Sequence, residues 1–185
     1  MTIRSYIAAA ALVAASSGPA LAGVTVIGDS PARTCYEAAE SSLRPSRHVF
    51  ERCAEALNSA MTSQHDVVAT YVNRGILHMR NDQLPLAMAD FDRALAMDPD
   101  QAEASLNKGL AYMRIDDARS ALPLFTVALE RRTSRPALAH FGRAIANESL
   151  GNIRQAYADY RRAMEIDPGW TEPQAELARF RVVSR

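Results

Sequence analysis

The side chains best suited to catalysis or metal binding are spread along the chain and form no known catalytic pattern. None of the four histidines, His48, His65, His78 and His140, has a partner at the spacing that metal sites use. The segment Asp98–Glu103 resembles part of a calcium loop but lacks the glycine needed for its turn. Neither a Ser/His/Asp pattern nor a glycine-rich phosphate loop occurs in a suitable context. The sequence therefore predicts no enzyme, no metal and no cofactor.

The two cysteines, Cys35 and Cys53, lie at equal distances from the break at Arg44-Pro45. Residues equidistant from the turn of an antiparallel helix hairpin face each other, so the two sulfurs can meet. An exported chain favours an oxidised pair, and the N-terminus has the pattern of an export signal. Closing this loop would stabilise the fold by about 3 kcal/mol. Two independent buried thiols and a redox site are the alternatives, although no CxxC pattern supports the redox site. We predict a structural disulfide.

The first 22 residues have the pattern of a cleaved secretory signal. Arg4 supplies the positive charge, Ile7–Ala15 is a short apolar run, and Ala20-Leu21-Ala22 ends the segment with a small-x-small motif. The apolar run is shorter than the roughly 20 residues that a membrane-spanning helix needs. A buried N-terminal helix is the alternative. We expect cleavage after Ala22, no membrane span, and a periplasmic or secreted protein that begins at Gly23.

The charge balance argues against nucleic-acid and membrane partners, and the spacing of apolar residues indicates the fold class. Removing Arg4 with the signal leaves 20 of the 21 basic residues, against 21 acidic residues. This balance gives no electrostatic reason to expect nucleic acid or an anionic membrane as a partner. From Thr34 to Arg181 the apolar residues recur at helical spacing and show no strand-like alternation. The chain is predicted to be all-α.

A pattern of alanine, a large aromatic residue and alanine recurs at a period of 34 or 35 residues. Its copies are Ala87, Phe91 and Ala94; Ala121, Phe125 and Ala128; and Ala156, Tyr160 and Ala163. The spacing i, i+4, i+7 places each triplet on one stripe of a helix. Upstream of each triplet lies another helical segment with a small residue in register, at Gly75, Gly109 or Ala144. Turn-prone pairs separate the two segments, so each copy predicts a helical hairpin.

This repeat resembles the tetratricopeptide repeat, whose 34-residue helix–turn–helix unit has the same small and aromatic positions. The resemblance extends over Val68–Pro168 and implies a right-handed α-solenoid. We expect an extended arm over 23–33, a degenerate hairpin over 34–67, repeats over 68–101, 102–136 and 137–170, and a C-terminal capping helix over 171–185. Trp170 is expected to pack where the last repeat meets the capping helix.

The repeats depart from the family pattern at several positions. A charged residue, Arg74, Lys108 or Arg143, stands where the family has a bulky side chain. The middle repeat is irregular, because it carries Pro123 inside its second helix and gains one residue before Pro136. Interior prolines remove a backbone hydrogen bond and commonly kink a helix.

The resemblance places the first helix of each repeat along a concave groove, where members of the family bind partners. The groove face comprises Val72, Asn73, Ile76, Met79, Leu106, Asn107, Leu110, Met113, Phe141 and Ile145. An asparagine offers both donors and an acceptor, so exposed asparagines in successive repeats can hold the backbone of an extended peptide. Alternatively, these residues pack against neighbouring helices or against the arm Gly23–Pro31 folded into the groove. The family's carboxylate clamp is not implied, since Val72, Leu138 and Gly142 occupy its basic positions.

Three functions remain open from the sequence. The first is a non-catalytic scaffold or adaptor of the bacterial cell envelope that binds a protein or an extended peptide in the groove. The second is a structural subunit or homodimer that uses its convex or end face. An enzyme with an unrecognised site is the third. The identity of the partner and the oligomeric state are left open.

Overall fold

The computed structural model describes residues 23–25 and 30–180, and the predicted signal segment lies outside these ranges. Within them the chain is all-helical. The helices are α1 Pro31–Glu40, α2 Arg47–Asn58, α3 Gln64–Arg80, α4 Leu84–Met97, α5 Ala102–Met113, α6 Ala118–Glu130, α7 Pro136–Ser149, α8 Ile153–Ile166 and α9 Glu172–Leu177. Among the described residues, no helix has the length and apolar character needed to cross a bilayer.

The helices pair as successive antiparallel hairpins, α1–α2, α3–α4, α5–α6 and α7–α8. The first helices adjoin one another in the order α1, α3, α5, α7, and each second helix contacts the next first helix. The turns inside the last three hairpins share one backbone feature, a positive φ at Asp82 (57°), Asp116 (58°) and Gly151 (79°). The predicted hairpins and their turns are thus present, and their stacking forms an α-solenoid.

Small residues on the first helices accommodate the aromatic rings of the second helices. A Cβ atom built on Gly75 would lie 2.5 Å from Cε1 of Phe91, and one on Gly109 would lie 2.9 Å from Cε1 of Phe125. Both rings are completely buried. Because neither position has space for a side chain, the glycines allow the two helices of a hairpin to approach closely, as the repeat pattern predicted.

The charged residues that depart from the family pattern form ion pairs between helices. Arg74 donates two hydrogen bonds to the carboxylate of Asp90, at 2.8 and 2.6 Å. Arg143 makes the same two-bond contact with Asp159, at 2.8 and 2.7 Å. In the middle repeat the pairing differs, because Lys108 reaches back to Asp92 of the preceding repeat, 2.5 Å away. The substitutions therefore replace an apolar contact with an ionic one.

Two helices near the N-terminus begin before the segment boundaries expected from the sequence. The arm was expected to reach residue 33, but α1 begins at Pro31 because Ser30 caps it: the Ser30 hydroxyl accepts the Arg33 N–H at 3.2 Å. The hairpin expected over 34–67 likewise ends early, since α3 begins at Gln64. There the Ser63 hydroxyl accepts the Asp66 N–H at 3.1 Å.

The C-terminal helix is shorter than expected. A capping helix was predicted over 171–185, but α9 ends at Leu177, and residues 181–185 lie outside the described ranges. Because α9 ends before Phe180, this residue folds back onto the end of the last repeat. Its ring centroid lies 5.9 Å from that of Tyr160. Trp170 packs at this junction as predicted, 4.6 Å from the ring of Phe141. Within the middle repeat, α6 continues through Pro123.

A disulfide joins α1 to α2. Cys35 and Cys53 are both completely buried and their Cα atoms lie 5.1 Å apart. We predict that replacing both cysteines with serine lowers the free energy of unfolding by about 3 kcal/mol, because the unfolded chain loses a loop constraint. Denaturant unfolding of the two proteins measures this difference. Titration of the denatured, non-reduced wild-type protein should find no free thiol, and two reactive thiols per chain would contradict the pairing.

Candidate peptide-binding groove

The groove face is built by one stripe of each of the helices α3, α5 and α7. Most of it is less exposed than the sequence predicted: Val72, Asn73, Ile76, Met79, Leu106 and Asn107 are buried, and Leu110, Met113, Phe141 and Ile145 are half-buried. Part of this burial is ordinary packing between adjacent first helices, which places Val72, Ile76 and Met79 in the same apolar cluster as Ala104 and Ala111 of α5. The rest is burial by other segments of the chain.

Asn73 holds the backbone of the N-terminal arm. Its Oδ1 accepts the Val24 N–H at 2.9 Å, and its Nδ2 donates to the Val24 carbonyl, also at 2.9 Å. One side-chain amide thereby satisfies both backbone polar groups of a single residue in a segment without regular secondary structure. The Val24 side chain is half-buried and packs against the two apolar clusters that contain, among others, Cys35 and Val68, and Ala32 and Ala69. This arrangement combines backbone recognition with an apolar contact for the neighbouring side chain.

A carboxylate lies beside Asn73 at the end of α1. Oε1 of Glu40 accepts the Gly23 N–H at 3.0 Å. Its other oxygen, Oε2, accepts a hydrogen bond from Arg135 at 3.4 Å, and Arg135 immediately precedes α7. This ion pair connects residues 95 positions apart in sequence. Glu40 thus connects the first hairpin, the arm and the start of the last repeat.

Asn107 is completely buried, and its Nδ2 donates to the Glu103 carbonyl of its own helix at 2.8 Å. The four half-buried groove residues fall into two groups. Phe141 and Ile145 pack against the buried cluster of Ala144, Ala156 and Tyr160, and Leu177 and Phe180 of the C-terminal segment pack against the same cluster. Leu110 and Met113 of α5 are only half-buried and pack against Leu106. They are partly exposed apolar side chains on the helix that follows the Asn73 hairpin. No partner is present, so their role in binding stays a prediction.

Two arginines at the C-terminal ends of α3 and α5, Arg80 and Arg114, bind the ends of neighbouring helices. Arg80 donates to the carbonyls of Ala38 and Ala39, at 2.9 and 2.5 Å, near the C-terminus of α1. Arg114, at the equivalent position of the next repeat, donates to the Met79 carbonyl at 2.6 Å. The last carbonyls of a helix have no partner within it, and cations are favoured there. Both arginines therefore stabilise the stacking of the repeats.

Sequence reasoning missed Glu40 and Arg135 as groove residues. Glu40 lies in the degenerate first hairpin, where no family pattern assigns positions, and Arg135 lies in the irregular connection before α7. The hydrogen bond between them spans 95 positions, and no local pattern signals such a contact. Asn73 was predicted to bind an extended backbone, and the arm was one of its two predicted occupants.

Comparison with protein families identifies the repeat. A profile of the tetratricopeptide repeat matches residues 72–132 and again 109–169, which together cover more than half of the chain. The chain belongs to the tetratricopeptide repeat family. Tetratricopeptide repeats mediate protein–protein interactions and are typically non-catalytic. Comparison with curated proteins finds no match.

Solved tetratricopeptide structures have the same fold. The first repeat domain of Spaghetti (RPAP3), bound to an HSP90 peptide, has a TM-score of 0.57 and 21% identity, covering 60% of this chain and 87% of that one. The Arabidopsis OM64 repeat domain has a TM-score of 0.59 and 20% identity, with 63% and 96% covered. A MamA chain from Desulfovibrio magneticus RS-1 has a TM-score of 0.63 and 18% identity, with 82% and 84% covered. At these identities the likeness shows the fold alone.

Proposed function

We propose that this tetratricopeptide protein is a non-catalytic scaffold or adaptor of the bacterial cell envelope that binds an extended protein segment on its groove face. The observation that carries the proposal is the contact of Asn73 with Val24. The side-chain amide binds both backbone polar groups of Val24 within 2.9 Å. These hydrogen bonds go to backbone groups and do not depend on a particular side chain, so a partner segment can form the same bonds with Asn73.

Two further observations support the proposal. The signal-like segment at residues 1–22 favours export, which would place the mature protein in the periplasm or outside the cell. A relative of the same fold, the Spaghetti (RPAP3) domain, has been solved with a peptide bound. In the present chain the arm around Val24 would compete with a partner for Asn73. The partner must therefore displace the arm or extend the groove contacts beyond it, toward Leu110 and Met113.

A second function, as a structural subunit or homodimer, is favoured by a different surface. Apolar side chains lie exposed near the turns of the last three hairpins: Leu86 (49% exposed), Ile115 (55%), Leu150 (37%) and Ile153 (45%). These turns form an end face distinct from the groove face. A subunit interface there would bury the four side chains, and it would leave the Asn73 contact unchanged.

We predict opposite effects on partner binding from the two variants that break the Asn73–Val24 contact. Asn73→Ala removes the receptor side, so capture of a groove partner should fall about tenfold, the loss expected for hydrogen bonds to a desolvated backbone. Val24→Pro weakens the arm alone, because it removes the N–H donor and the valine side chain, and it leaves Asn73 intact, so capture of the same partner should rise. The measurement is quantitative capture from envelope extract with immobilised mature protein as bait.

Controls separate binding from folding and from the end face. Asp92→Ala and Arg162→Ala change exposed residues on second helices and should leave capture unchanged. Ile115→Ser with Ile153→Ser alters only the end face. If the Asn73–Val24 contact is merely structural, Asn73→Ala and Val24→Pro will change capture in the same direction. If only the end-face variant loses its partner, or a stable dimer dissociates in that variant, the subunit function is favoured instead.

A further inference from the structure

The position of Glu40 raises the question of what its carboxylate binds. It lies at the last residue of α1 and is about one-third exposed, with a side-chain exposure of 32%. Oε1 is 3.0 Å from the backbone nitrogen of Gly23, and Oε2 is 3.4 Å from the Arg135 guanidinium. Gly23 is the residue that follows the predicted cleavage site. Cleavage there would turn the nitrogen bound by Glu40 into a primary amine.

We infer that Glu40 and Asn73 form a binding site for a free polypeptide α-amino group, occupied in the processed protein by that of Gly23. The inference rests on the proposed export and on cleavage after Ala22. A backbone amide offers Glu40 one N–H and no charge. An ammonium group offers three N–H donors and a positive charge, so it adds a direct charge–charge attraction to the hydrogen bond with the Glu40 carboxylate. Capture of a terminal amine is an established mode of peptide recognition.

The shape of the site selects the first residue of the bound chain. A Cβ atom added to Gly23 would lie 2.5 Å from Oε1 of Glu40 and 3.2 Å from Oδ1 of Asn73. A larger first residue would require the Glu40 carboxylate to move away from the nitrogen that it binds, so the present geometry favours glycine.

The second residue is selected by an apolar surface. The Val24 side chain packs against two apolar clusters to which α1 and α3 contribute, through residues such as Cys35 and Val68. An aliphatic residue fits there, and a charged one would be desolvated without a partner. The ligand class is thus an extended polypeptide that begins with glycine followed by an aliphatic residue.

This site couples docking of the arm to processing. Before cleavage Gly23 donates one uncharged N–H to the Glu40 carboxylate, and after cleavage its ammonium group would form an ion pair with the same carboxylate. The second state binds the arm more firmly to the groove face. A partner would therefore find the processed arm harder to displace from Asn73 than the unprocessed arm.

The chain offers an unusually clean test, because Lys108 is its only lysine. A protein processed at Ala22 therefore contains two primary amines, the Gly23 α-amine and the Lys108 side chain. The full-length protein is expressed with export in a Gram-negative host, purified, and its first residue is determined from the intact mass. Limited acetylation near neutral pH, followed by mass spectrometry of the two sites, then gives a modification rate for each amine.

We expect the Gly23 α-amine to react at least about fivefold more slowly in the wild type than in Glu40→Gln, the protection of a charge-assisted hydrogen bond. Lys108 should react equally in both and serves as the internal standard. Glu37→Gln is the matched control, because Glu37 is an exposed residue of the same helix that pairs with Arg33. Gly23→Ala keeps Glu40 but crowds it, and should also expose the amine.

The outcomes decide the inference separately from the proposed function. Equal α-amine rates in the wild type, Glu40→Gln and Gly23→Ala would overturn it, as would a mature chain that begins at another residue. An unprotected α-amine together with loss of partner capture in Asn73→Ala would overturn only the amine site and leave the groove function in place. If the amine is protected but Asn73→Ala has no effect on partner capture, the groove function is overturned and the amine site is kept.

Discussion

Gly109→Leu is expected to lower the free energy of unfolding by about 1–3 kcal/mol or more, because it overpacks the interface between α5 and α6. Even a Cβ atom at Gly109 would lie 2.9 Å from Cε1 of Phe125. The Phe125 ring has no room to move away, because it already packs against Gly142 of α7. A Cβ atom at Gly142 would lie only 2.6 Å from Cζ of that ring. Replacing glycine also raises helix propensity by about 0.8 kcal/mol, and this gain is smaller than the expected cost of overpacking.

Lys108→Leu is the matched control for this prediction, because it inserts the same side chain one residue away. Lys108 pairs with Asp92, which is 60% exposed, and such pairs contribute about 0–1 kcal/mol. Urea denaturation of the two variants measures the difference. A double variant gives a second test. Gly109→Ala with Phe125→Leu should lose less free energy of unfolding than the sum of the two single variants, because the smaller leucine side chain makes room for the alanine methyl group. Equal losses in Gly109→Leu and Lys108→Leu would mean that Gly109 does not face Phe125.

The sequence predicts the packing inside each repeat because the repeat fixes register. Three copies place Gly75, Gly109 and Ala144 at the same helical position relative to an aromatic residue, and a register error would have to occur in all of them together. The disulfide was equally predictable from the sequence, since a hairpin turn at Arg44-Pro45 brings Cys35 and Cys53 face to face. Both predictions depend on spacing within one hairpin, where local geometry determines which residues meet.

Boundaries at the ends of the solenoid were harder to predict, because caps and tertiary packing set them. Ser30 starts α1 at Pro31, inside the segment expected to be an arm. At the other end, burial of Phe180 against Tyr160 competes with continuation of α9, and the helix ends at Leu177. In these terminal segments no repeat copy exists that would fix the register.

The candidate groove was predictable in its residues and unpredictable in its occupancy. Family register places Asn73 on the groove face, and the chemistry of an amide side chain implies that it can bind an extended backbone. That Val24 makes this contact depends on how residues 49 positions apart meet. The contact between Glu40 and Arg135 depends on the stacking of all four hairpins, which brings the start of α7 to the end of α1. Such contacts follow from the complete solenoid and not from any segment of it.

Asp159→Asn is expected to lower the free energy of unfolding by about 3 kcal/mol, because it leaves the Arg143 charge without its partner in a mostly buried site. Asp159 is 6% exposed. Arg143 binds both of its oxygens, and Nδ1 of His140 lies 2.8 Å from Oδ1. Asparagine has nearly the same shape, so the loss reports charge and hydrogen bonding and not a cavity. Asp92→Asn, at an exposed ion pair, should cost at most about 1 kcal/mol.

The pH dependence of stability tests whether the Asp159 charge is responsible. Burial alone would raise the pKa of Asp159, but hydrogen bonds from His140 and Arg143 outweigh it, so the pKa in the folded protein is lowered. A lowered folded-state pKa means that the ionised carboxylate stabilises the fold above its unfolded-state pKa, about 3.9. That contribution is lost as the pH falls from there through the folded-state pKa. The stability difference between wild type and Asp159→Asn should therefore persist at about pH 5 and shrink below about pH 4. Urea denaturation across this range measures it, and a difference that stays constant down to the lowest pH at which both proteins fold would show that shape, and not charge, explains the loss.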